Sequence, residues 1–338
     1  MISSSSRTVR SSVLAALASL ASFSSALAAT SVATVPVGYL KVEAPTGATT
    51  PFGVPLDDTS APAAGIRAGK IESFTANTIG NASGGWTGNL GAATAPWLVR
   101  ITSGPSAGKT LDITANTATT LTVSGADLTT LGLTAGTDTF ELVPMDTLWS
   151  LFGNTLQGGV SAGVADNVSV RSGTSWLVYF YDTNLGYWRR TIGPATNSNN
   201  VLIRPQTGVQ LLRRGAPLTL TFAGRVLATP FRAPVANASS TVIHAGFPTD
   251  TTLGGLAVQT LLAGWRSGTN PTTTDILGVH NGSAWVNYIY NGSNWQPFAG
   301  PATNSDSVAI PAGALLTLQR PGATAGTTDL VRPIPYSL

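Results

Sequence analysis

A repeated hexapeptide constrains the fold of this chain more than any other feature. Gly-Pro-Ala-Thr-Asn-Ser occupies residues 193–198 and occurs again at residues 300–305. The segments before it also match, since SWLVYFY at 175–181 resembles AWVNYIY at 284–290. Similarity that extends well beyond six residues indicates an internal duplication rather than a coincidence. We therefore expect two related structural units.

The first copy is longer than the second. Residues 50–56 (TPFGVPL) resemble 229–235 (TPFRAPV), whereas residues 147–152 (TLWSLF) resemble 252–257 (TLGGLA). The first match implies a larger shift along the chain than the second, and the difference predicts an insertion of about 70 to 80 residues. The inserted interval contains short alternating strands separated by Gly, Asn and Ser turns, a pattern typical of a small β-barrel.

These patterns predict an all-β fold with two related β-sandwich-like repeats, the first of which is interrupted by a small β-barrel module. The predicted divisions are a signal peptide at 1–28, a discontinuous first repeat at 29–66 and 146–214, the inserted module at 67–145, and the second repeat at 215–338.

The hexapeptide itself is predicted to be a connection between strands. Trp176 to Tyr181 forms a strand that a turn leads back along the sheet, and Val201-x-Ile203 after the hexapeptide has the period of another strand. Pro194 fixes φ and lacks a backbone donor, while Asn197 can bond its own backbone, so both suit a connecting loop. The functional alternative is a calcium loop, but carboxylates are scarce there and the spaced acidic pattern is missing.

The N-terminal segment predicts export. Arg7 and Arg10 precede an apolar run from Val13 to Phe23, which ends near the small-residue triplet Ala26-Leu27-Ala28. This order is typical of a secretory signal peptide cleaved after Ala28. No later segment has the length of apolar sequence that a membrane-spanning helix requires. We expect a periplasmic, cell-surface or extracellular protein without a transmembrane anchor.

Charge and cysteine content limit the possible partners. The chain has 18 Lys and Arg, 15 Asp and Glu, and no cysteine. Two of the basic residues belong to the predicted signal peptide, which leaves a mature net charge of about +1 and no clustered basic surface of the kind that binds nucleic acid. Stability without disulfides must come from buried apolar surface and backbone hydrogen bonds.

Several longer segments resemble a known group of sequences. They are VPVGYLKVEAPTG (35–47), WLVRITSGPSAGKTLDITANTATTLTV (97–123), DLTTLGLTAGTDTFELVPMDTLWSLF (127–152), YFYDTNLGYWRR (179–190) and VLIRPQTGVQLLRR (201–214). With the signal peptide, they resemble a paralogous family of exported proteins of unknown function that is abundant in Verrucomicrobia-type bacteria. The resemblance runs from about Thr34 to the C terminus, and the spacing departs from the family pattern after Arg214. It implies export and an all-β architecture, and it carries no catalytic residue.

Side chains suited to catalysis are few. His244 and His280 are the two histidines, and no serine lies in a Gly-x-Ser-x-Gly elbow. A lone histidine beside turn or strand residues is more often at the surface or in a cap than a general base. A glycosidase would need two opposed carboxylates. The available candidates are Asp57, Asp58, Asp146, Asp182, Asp250 and Asp275.

A phosphate-binding loop is also unsupported. Residues 104–110 end in Gly-Lys-Thr, but only three residues separate Gly104 from Gly108, where the phosphate-loop pattern needs four. The segment leads into a predicted strand, whereas a phosphate loop leads into a helix. We predict a hairpin turn here, and a protein that is not an enzyme and that has no cofactor and no metal.

Aromatic residues near the repeated segments are the candidate ligand-binding groups. The candidates are Tyr179, Tyr181, Trp188, Tyr288, Tyr290 and Trp295. An exposed platform of such rings could stack on sugars, whereas strands apolar on both faces usually fill a sandwich core. Because Trp188 and Trp295 follow turns, we expect them to be partly exposed.

The functional expectation is an exported, non-catalytic structural or interaction protein of the cell envelope or extracellular space. Low charge and duplicated β-units favour partners such as other envelope proteins or further copies of the chain, which would make it self-assembling. The alternative is a carbohydrate-binding protein that holds a polysaccharide on the aromatic candidates.

Overall fold

Short strands build almost the whole fold. The structure is a computed structural model that describes residues 36–93, 96–270 and 272–337. Strands account for 42% of it and helices for 4%, in several antiparallel sheets, which confirms the predicted all-β class. The predicted signal peptide at 1–28 lies outside the described residues.

Three strands begin the described chain: β1 (Val37–Ala44), β2 (Thr49–Phe52) and β3 (Leu56–Asp57). β1 alternates, with Leu40, Val42 and Ala44 buried and the residues between them exposed. This period of two is what a strand with one face on a core requires.

The next seven strands form one sheet. They are β4 (Ala68–Lys70), β5 (Ser73–Phe74), β6 (Thr78–Gly80), β7 (Trp97–Ile101), β8 (Thr110–Asn116), β9 (Thr120–Ser124) and β10 (Thr139–Pro144), with a 3-10 helix at Leu128–Thr130. Their order is β4-β10-β7-β8-β9-β6-β5. The two outermost strands, β4 and β5, are separated only by Ile71 and Glu72, so the sheet curls into a half-barrel.

The segment that resembles a phosphate loop is a turn. Residues 104–109 lie between β7 and β8, and Gly104 and Gly108 have φ of 72° and 85°. Glycine tolerates such positive φ values without a steric penalty. A β-carbon on Gly108 would also lie 2.1 Å from the carbonyl oxygen of Pro230, so this turn packs tightly against the second half of the chain.

The chain then completes a group of strands around a five-stranded sheet, which we call the first host sheet. Its elements are β11 (Asp146–Thr147), α1 (Leu148–Phe152), β12 (Asn167–Ser172), β13 (Ser175–Asp182), β14 (Tyr187–Arg190), β15 (Leu202–Ile203), β16 (Val209–Leu212) and β17 (Leu218–Val226). A capping box starts α1, since Ser150 N donates to Thr147 Oγ1 (3.0 Å) and Thr147 N donates to Ser150 Oγ (2.8 Å). The main sheet has the order β14-β13-β12-β16-β2, β11 pairs with β15, and β17 lies between β1 and β3.

The remaining residues form a second host sheet. Its elements are β18 (Phe231–Asn237), β19 (Ser240–His244), β20 (Thr251–Thr252), α2 (Val258–Leu261), β21 (Ile276–His280), β22 (Trp285–Tyr290), β23 (Trp295–Pro297), β24 (Ala309–Ile310), β25 (Leu315–Gln319) and β26 (Gly326–Arg332). The main sheet has the order β19-β25-β21-β22-β23, β20 pairs with β24, and β18 pairs with β26.

The two host sheets have the same strand order. Both run from an edge strand (β2 or β19) through β16-β12-β13-β14 or β25-β21-β22-β23, and each has a short accompanying pair. β17 pairs with β1 as β26 pairs with β18. β17 thus joins the first strand of the chain although the predicted first repeat ends at Arg214. The predicted division into domains stays a prediction.

The ends of the two edge strands bond reciprocally. Gly53 N, after β2, donates to Gly313 O before β25 (2.7 Å), and His244 N, at the end of β19, donates to Gln206 O before β16 (3.1 Å). Each sheet therefore binds the other through corresponding positions. These two main-chain hydrogen bonds connect the host sheets directly, without side chains.

Each part of the fold has its own hydrophobic core. The core of the half-barrel centres on Phe140, Trp86 and the branched residues around them. The first host sheet packs around Phe52 and Phe152, and the second around Phe247 and a cluster of leucines. Burial of apolar surface is the main stabilising term in such units.

Candidate functional site

The aromatic candidates lie mainly inside the host cores. Trp188 and Trp295 are fully buried, which makes the prediction of their partial exposure wrong. Tyr179 and Tyr288 are also buried, and Tyr181 and Tyr290 are half-buried beside the two tryptophans. Their rings meet at T-shaped contacts, at 6.1 Å for Tyr181 and Trp188 and 5.6 Å for Tyr290 and Trp295. The four buried rings therefore have no free face for a sugar.

The repeated hexapeptide is hydrogen-bonded to the main chain of the two tryptophans. In the first copy Ser198 N donates to Trp188 O (2.7 Å), and Trp188 N donates to Asn199 Oδ1 (2.9 Å). In the second copy Ser305 N donates to Trp295 O and Trp295 N to Asp306 Oδ1, both at 2.8 Å. The loop thus occupies the outer edge of β14 and of β23. The hexapeptide covers a strand edge, a feature that folded proteins usually protect.

The two tryptophans differ in one hydrogen bond. Trp188 Nε1 donates to Gly153 O at 2.7 Å, just after α1. Trp295 Nε1 is buried without an acceptor among the described residues, and its ring meets that of Trp265 at 5.5 Å. A buried N–H group without an acceptor lowers the stability of the fold. The Trp295 ring therefore contributes to stability through its packing in the core.

A buried ion pair recurs in both host sheets. Asp166, before β12, is held by Arg213, and it accepts from Arg214 N at 2.7 Å. Asp275, before β21, is held by Arg320 at 3.1 Å and is fully buried. Such a pair is costly to break because either partner alone would be an uncompensated buried charge. Its position at the start of a central strand indicates a structural role.

A larger ionic cluster joins the half-barrel to the three-stranded sheet β1-β17-β3. Arg100 on β7 donates to Asp57 Oδ1 on β3 (2.8 Å) and to Glu141 Oε1 on β10 (2.9 Å). Arg225 on β17 donates to Glu141 Oε2 (2.7 Å). Burial alone would raise the pKa of Asp57, but the charge of Arg100 and its hydrogen bonds outweigh burial, so the pKa is lowered. The sequence offered no signal for this cluster, because its members are far apart in the chain.

Three of the carboxylates that could serve a glycosidase lie close together, beside the junction of the half-barrel with the rest of the fold. Asp57, Asp58 and Asp146 line a cavity of about 20 Å³, which holds roughly one water molecule. Burial raises the pKa of Asp146 to about 6, and the charges of Asp58 and Asp57 add to this effect. Asp182 is bound by Arg189 at 2.7 Å. Asp58 and Asp146 also line an open pocket of about 360 Å³, and they are the pair of candidate carboxylates that a ligand could reach.

The two histidines lack the partners of a general base. His244 is buried, accepts from Gly246 N through Nδ1 (2.9 Å), and therefore carries its proton on Nε2, which bonds Pro205 O. Burial lowers its pKa to about 4. His280 is half-buried and lies against Trp285 at 5.5 Å. Neither ring contacts a hydroxyl nucleophile among the hydrogen bonds of the described residues.

A large open groove with mixed polar and apolar lining lies beside the half-barrel. Two adjoining sections of about 550 and 510 Å³ share Arg204, Thr207, Pro234, Thr241, Val242 and Thr327. The half-barrel contributes Lys109, Thr110 and Asp112 to one wall. Arg204 binds Asp112 through two hydrogen bonds of 2.8 Å, and Lys109 and Arg232 both bind Asp329. The sequence did not predict this groove, because it lies where several separate segments of the chain meet.

Comparison with known protein families, with curated proteins and with solved structures gave no match. Among residues 36–93, 96–270 and 272–337, no helix is long and apolar enough to cross a membrane. The same residues contain no cluster of three or more His, Asp or Glu side chains that could hold a metal. The resemblance to an exported family stays a prediction.

Proposed function

We propose that the chain is an exported, non-catalytic interaction protein of the cell envelope or the extracellular space. The observation that carries this proposal is that three of the six candidate acids are bound by arginines. Arg100 holds Asp57, Arg189 holds Asp182 and Arg320 holds Asp275. A carboxylate bound in this way is not available to attack a substrate or to transfer a proton. The fold also presents an open groove of mixed polar and apolar lining.

Export can be tested through the cleavage site. The mature protein should begin at Ala29 and be recovered outside the cytoplasm when a bacterial host expresses the full chain. A matched variant, Leu17→Arg, places a charge in the apolar core of the signal peptide and should keep the full-length protein inside. Uncleaved wild-type protein in the cytoplasm would overturn the export part of the proposal.

The absence of catalysis needs a separate test. The purified mature protein should not hydrolyse a panel of aryl glycosides and polysaccharides above the rate of the Asp146→Asn variant, which removes the carboxyl of raised pKa. Turnover by the wild type that this variant loses would show a catalytic site and contradict the proposal.

A duplicated β-unit underlies the proposed architecture. The identical strand order, the matching Trp188 and Trp295 loops, and the recurring Asp–Arg pairs all support duplication. The half-barrel would then be an insertion, because Asp58 and Asp146 flank it, while Asp250 and Thr251 are adjacent in the second copy. Deletion of residues 59–145 with a short linker tests this. Retained antiparallel sheet signal and cooperative unfolding are expected, and loss of all folded structure would argue against an insertion.

Self-assembly of the chain can be tested by light scattering and negative-stain microscopy of the mature protein. The hexapeptide loops cover the outer edges of β14 and β23, so these edges do not support lateral pairing of copies. A larger species that grows with concentration would support self-assembly. A monodisperse monomer would restrict the interaction to other partners.

Burial of the aromatic candidates weakens the alternative of a carbohydrate-binding protein. Four of its six aromatic candidates are buried, and the other two are half-buried beside the buried tryptophans. Polysaccharide pull-down with the wild type and with Trp295→Phe, which keeps an aromatic core residue, tests what remains. Polysaccharide binding by the wild type that is lost in Trp295→Phe would support the aromatic site.

A further inference from the structure

The edge strand β19 has one side without a strand partner. Ala245 N donates to Ala314 O (2.9 Å), so Ala245, Ile243 and Thr241 direct their main-chain groups toward β25. In an antiparallel pair alternate residues direct these groups to opposite sides. The main-chain N–H and C=O groups of Val242 and His244 therefore point away from β25. His244 N finds Gln206 O, whereas Val242 N has no hydrogen-bond acceptor among the described residues.

In the first host sheet, a proline occupies the corresponding position of the edge strand β2. Gly53 N points away from β16 and donates to Gly313 O, as His244 N does to Gln206 O. Two residues earlier, Pro51 therefore takes the place that Val242 has in β19. Proline has no N–H group, and edge prolines prevent the addition of another strand. The second copy lacks this protection.

The unprotected position opens onto the groove. Val242 lines both of its sections, together with Thr241. Pro234 and Thr327, which face outward from β18 and β26, lie beside them and are exposed. An extended chain that enters the groove would meet the edge of β19 at residues 240–243, before the end that Gln206 O occupies. Main-chain hydrogen bonds of this kind provide affinity in strand addition, and side-chain contacts provide specificity.

The charge of the groove selects among such chains. Arg171, Arg204, Arg232 and Lys109 line it with two carboxylates, Asp112 and Asp329, which leaves an excess of two positive charges. The side chain of Arg204 is 54% exposed. Complementary charge favours acidic side chains on the bound segment.

We propose that β19 binds an extended, acidic segment of a partner protein, which adds to the sheet as a further strand. Val242 N–H donates to a main-chain carbonyl of the segment, and acidic side chains of the segment face Arg204 and Arg232. A second copy of this chain fits less well, because its only adjacent pair of acidic residues is Asp57-Asp58 and Asp57 is buried. The inference names the partner class of the proposed interaction protein and rests on that proposal.

A proline variant tests the main-chain bond directly. Val242→Pro removes the donor and copies the residue found at Pro51, and Val242→Thr is the matched control that keeps the N–H group. A display library of random 12-residue peptides is selected on the immobilised mature protein. The enriched peptides should be acidic and rich in β-branched residues, and Val242→Pro should weaken their binding at least tenfold, whereas Val242→Thr should change it less than threefold. Both variants must unfold at temperatures close to that of the wild type.

Two further arms complete the test. Arg204→Ala should weaken the acidic peptides and leave peptides with Gln in place of Asp and Glu unaffected, and N-methylation of the peptide backbone should abolish binding. Peptides that bind Val242→Pro as well as the wild type, or the absence of any enriched peptide, would overturn the proposal. Self-association of the wild type that Val242→Pro abolishes would place a second copy in the groove and overturn the assigned partner. These outcomes are independent of the export and hydrolysis tests, so failure here is distinguishable from failure of the proposed function.

Discussion

The main-chain N–H of Trp295 donates to the carboxylate of Asp306 at 2.8 Å, and this bond attaches the hexapeptide loop to the edge strand that it covers. In the first copy an asparagine, Asn199, accepts the same bond from Trp188 at 2.9 Å. The acceptor oxygen is common to both copies, whereas the charge is not. The loop therefore depends on the hydrogen bond rather than on a negative charge.

Asp306→Asn should accordingly leave stability nearly unchanged, because Asn199 performs this role in the first copy. Asp306→Ala should lower the free energy of unfolding by about 1 to 3 kcal/mol, since it leaves the N–H of a buried residue without its acceptor. Denaturant unfolding at neutral pH measures both. Equal losses in the two variants would show that the charge matters.

The pair Trp188→Phe and Trp295→Phe isolates one indole hydrogen bond. Both changes remove the same volume from a fully buried site, but only Trp188 Nε1 has an acceptor, Gly153 O. We expect Trp188→Phe to cost about 1 kcal/mol more than Trp295→Phe in chemical denaturation. A larger loss for Trp295→Phe would contradict the assigned difference.

Arg100 should be far more important for stability than Arg204, although both bind aspartates. Arg100 is 2% exposed and its removal would leave Asp57 and Glu141 without their shared partner. Arg100→Ala should cost about 3 to 5 kcal/mol. Arg204→Ala, which opens the exposed pair with Asp112, should cost about 1 kcal/mol or less. Urea titrations of the two variants at low salt provide the comparison.

His244 should make the fold sensitive to acid. Its pKa is lowered from 6.5 to about 4 in the folded protein, mainly by burial. The unfolded chain therefore binds a proton between pH 6.5 and 4 that the folded chain does not, and the contribution of His244 to stability falls as the pH falls through this range. His244→Gln keeps a donor for Pro205 O and has no titrating ring. The free energy of unfolding of this variant should vary less between pH 7 and pH 4 than that of the wild type. A steeper dependence in the variant would count against this account.

The sequence by itself determined the features that depend on local pattern. The alternation around Trp176 and Trp285 predicted strands, which are β13 and β22, and the duplicated flanks predicted sheets that prove to share one strand order. The Asn291-Gly292 turn was also predictable, and Gly292 has a φ of 106°. Strand periodicity and turn residues act over a few positions, so a single sequence is enough to recognise them.

Only the tertiary structure decided which side chains are enclosed and which segments meet. Trp188 follows a turn and was expected at the surface, but a loop ten residues later folds back over it. Asp57 and Arg100 meet across a chain separation that no periodicity encodes, and the same holds for Arg204 and Asp112 in the groove. The registers of β2 and β19 show that Pro51 corresponds to Val242, so the sequence match of residues 50–56 with 229–235, which pairs Pro51 with Pro230, was wrong. Burial and long-range pairing are properties of the packed chain as a whole, because each depends on where distant segments come to lie.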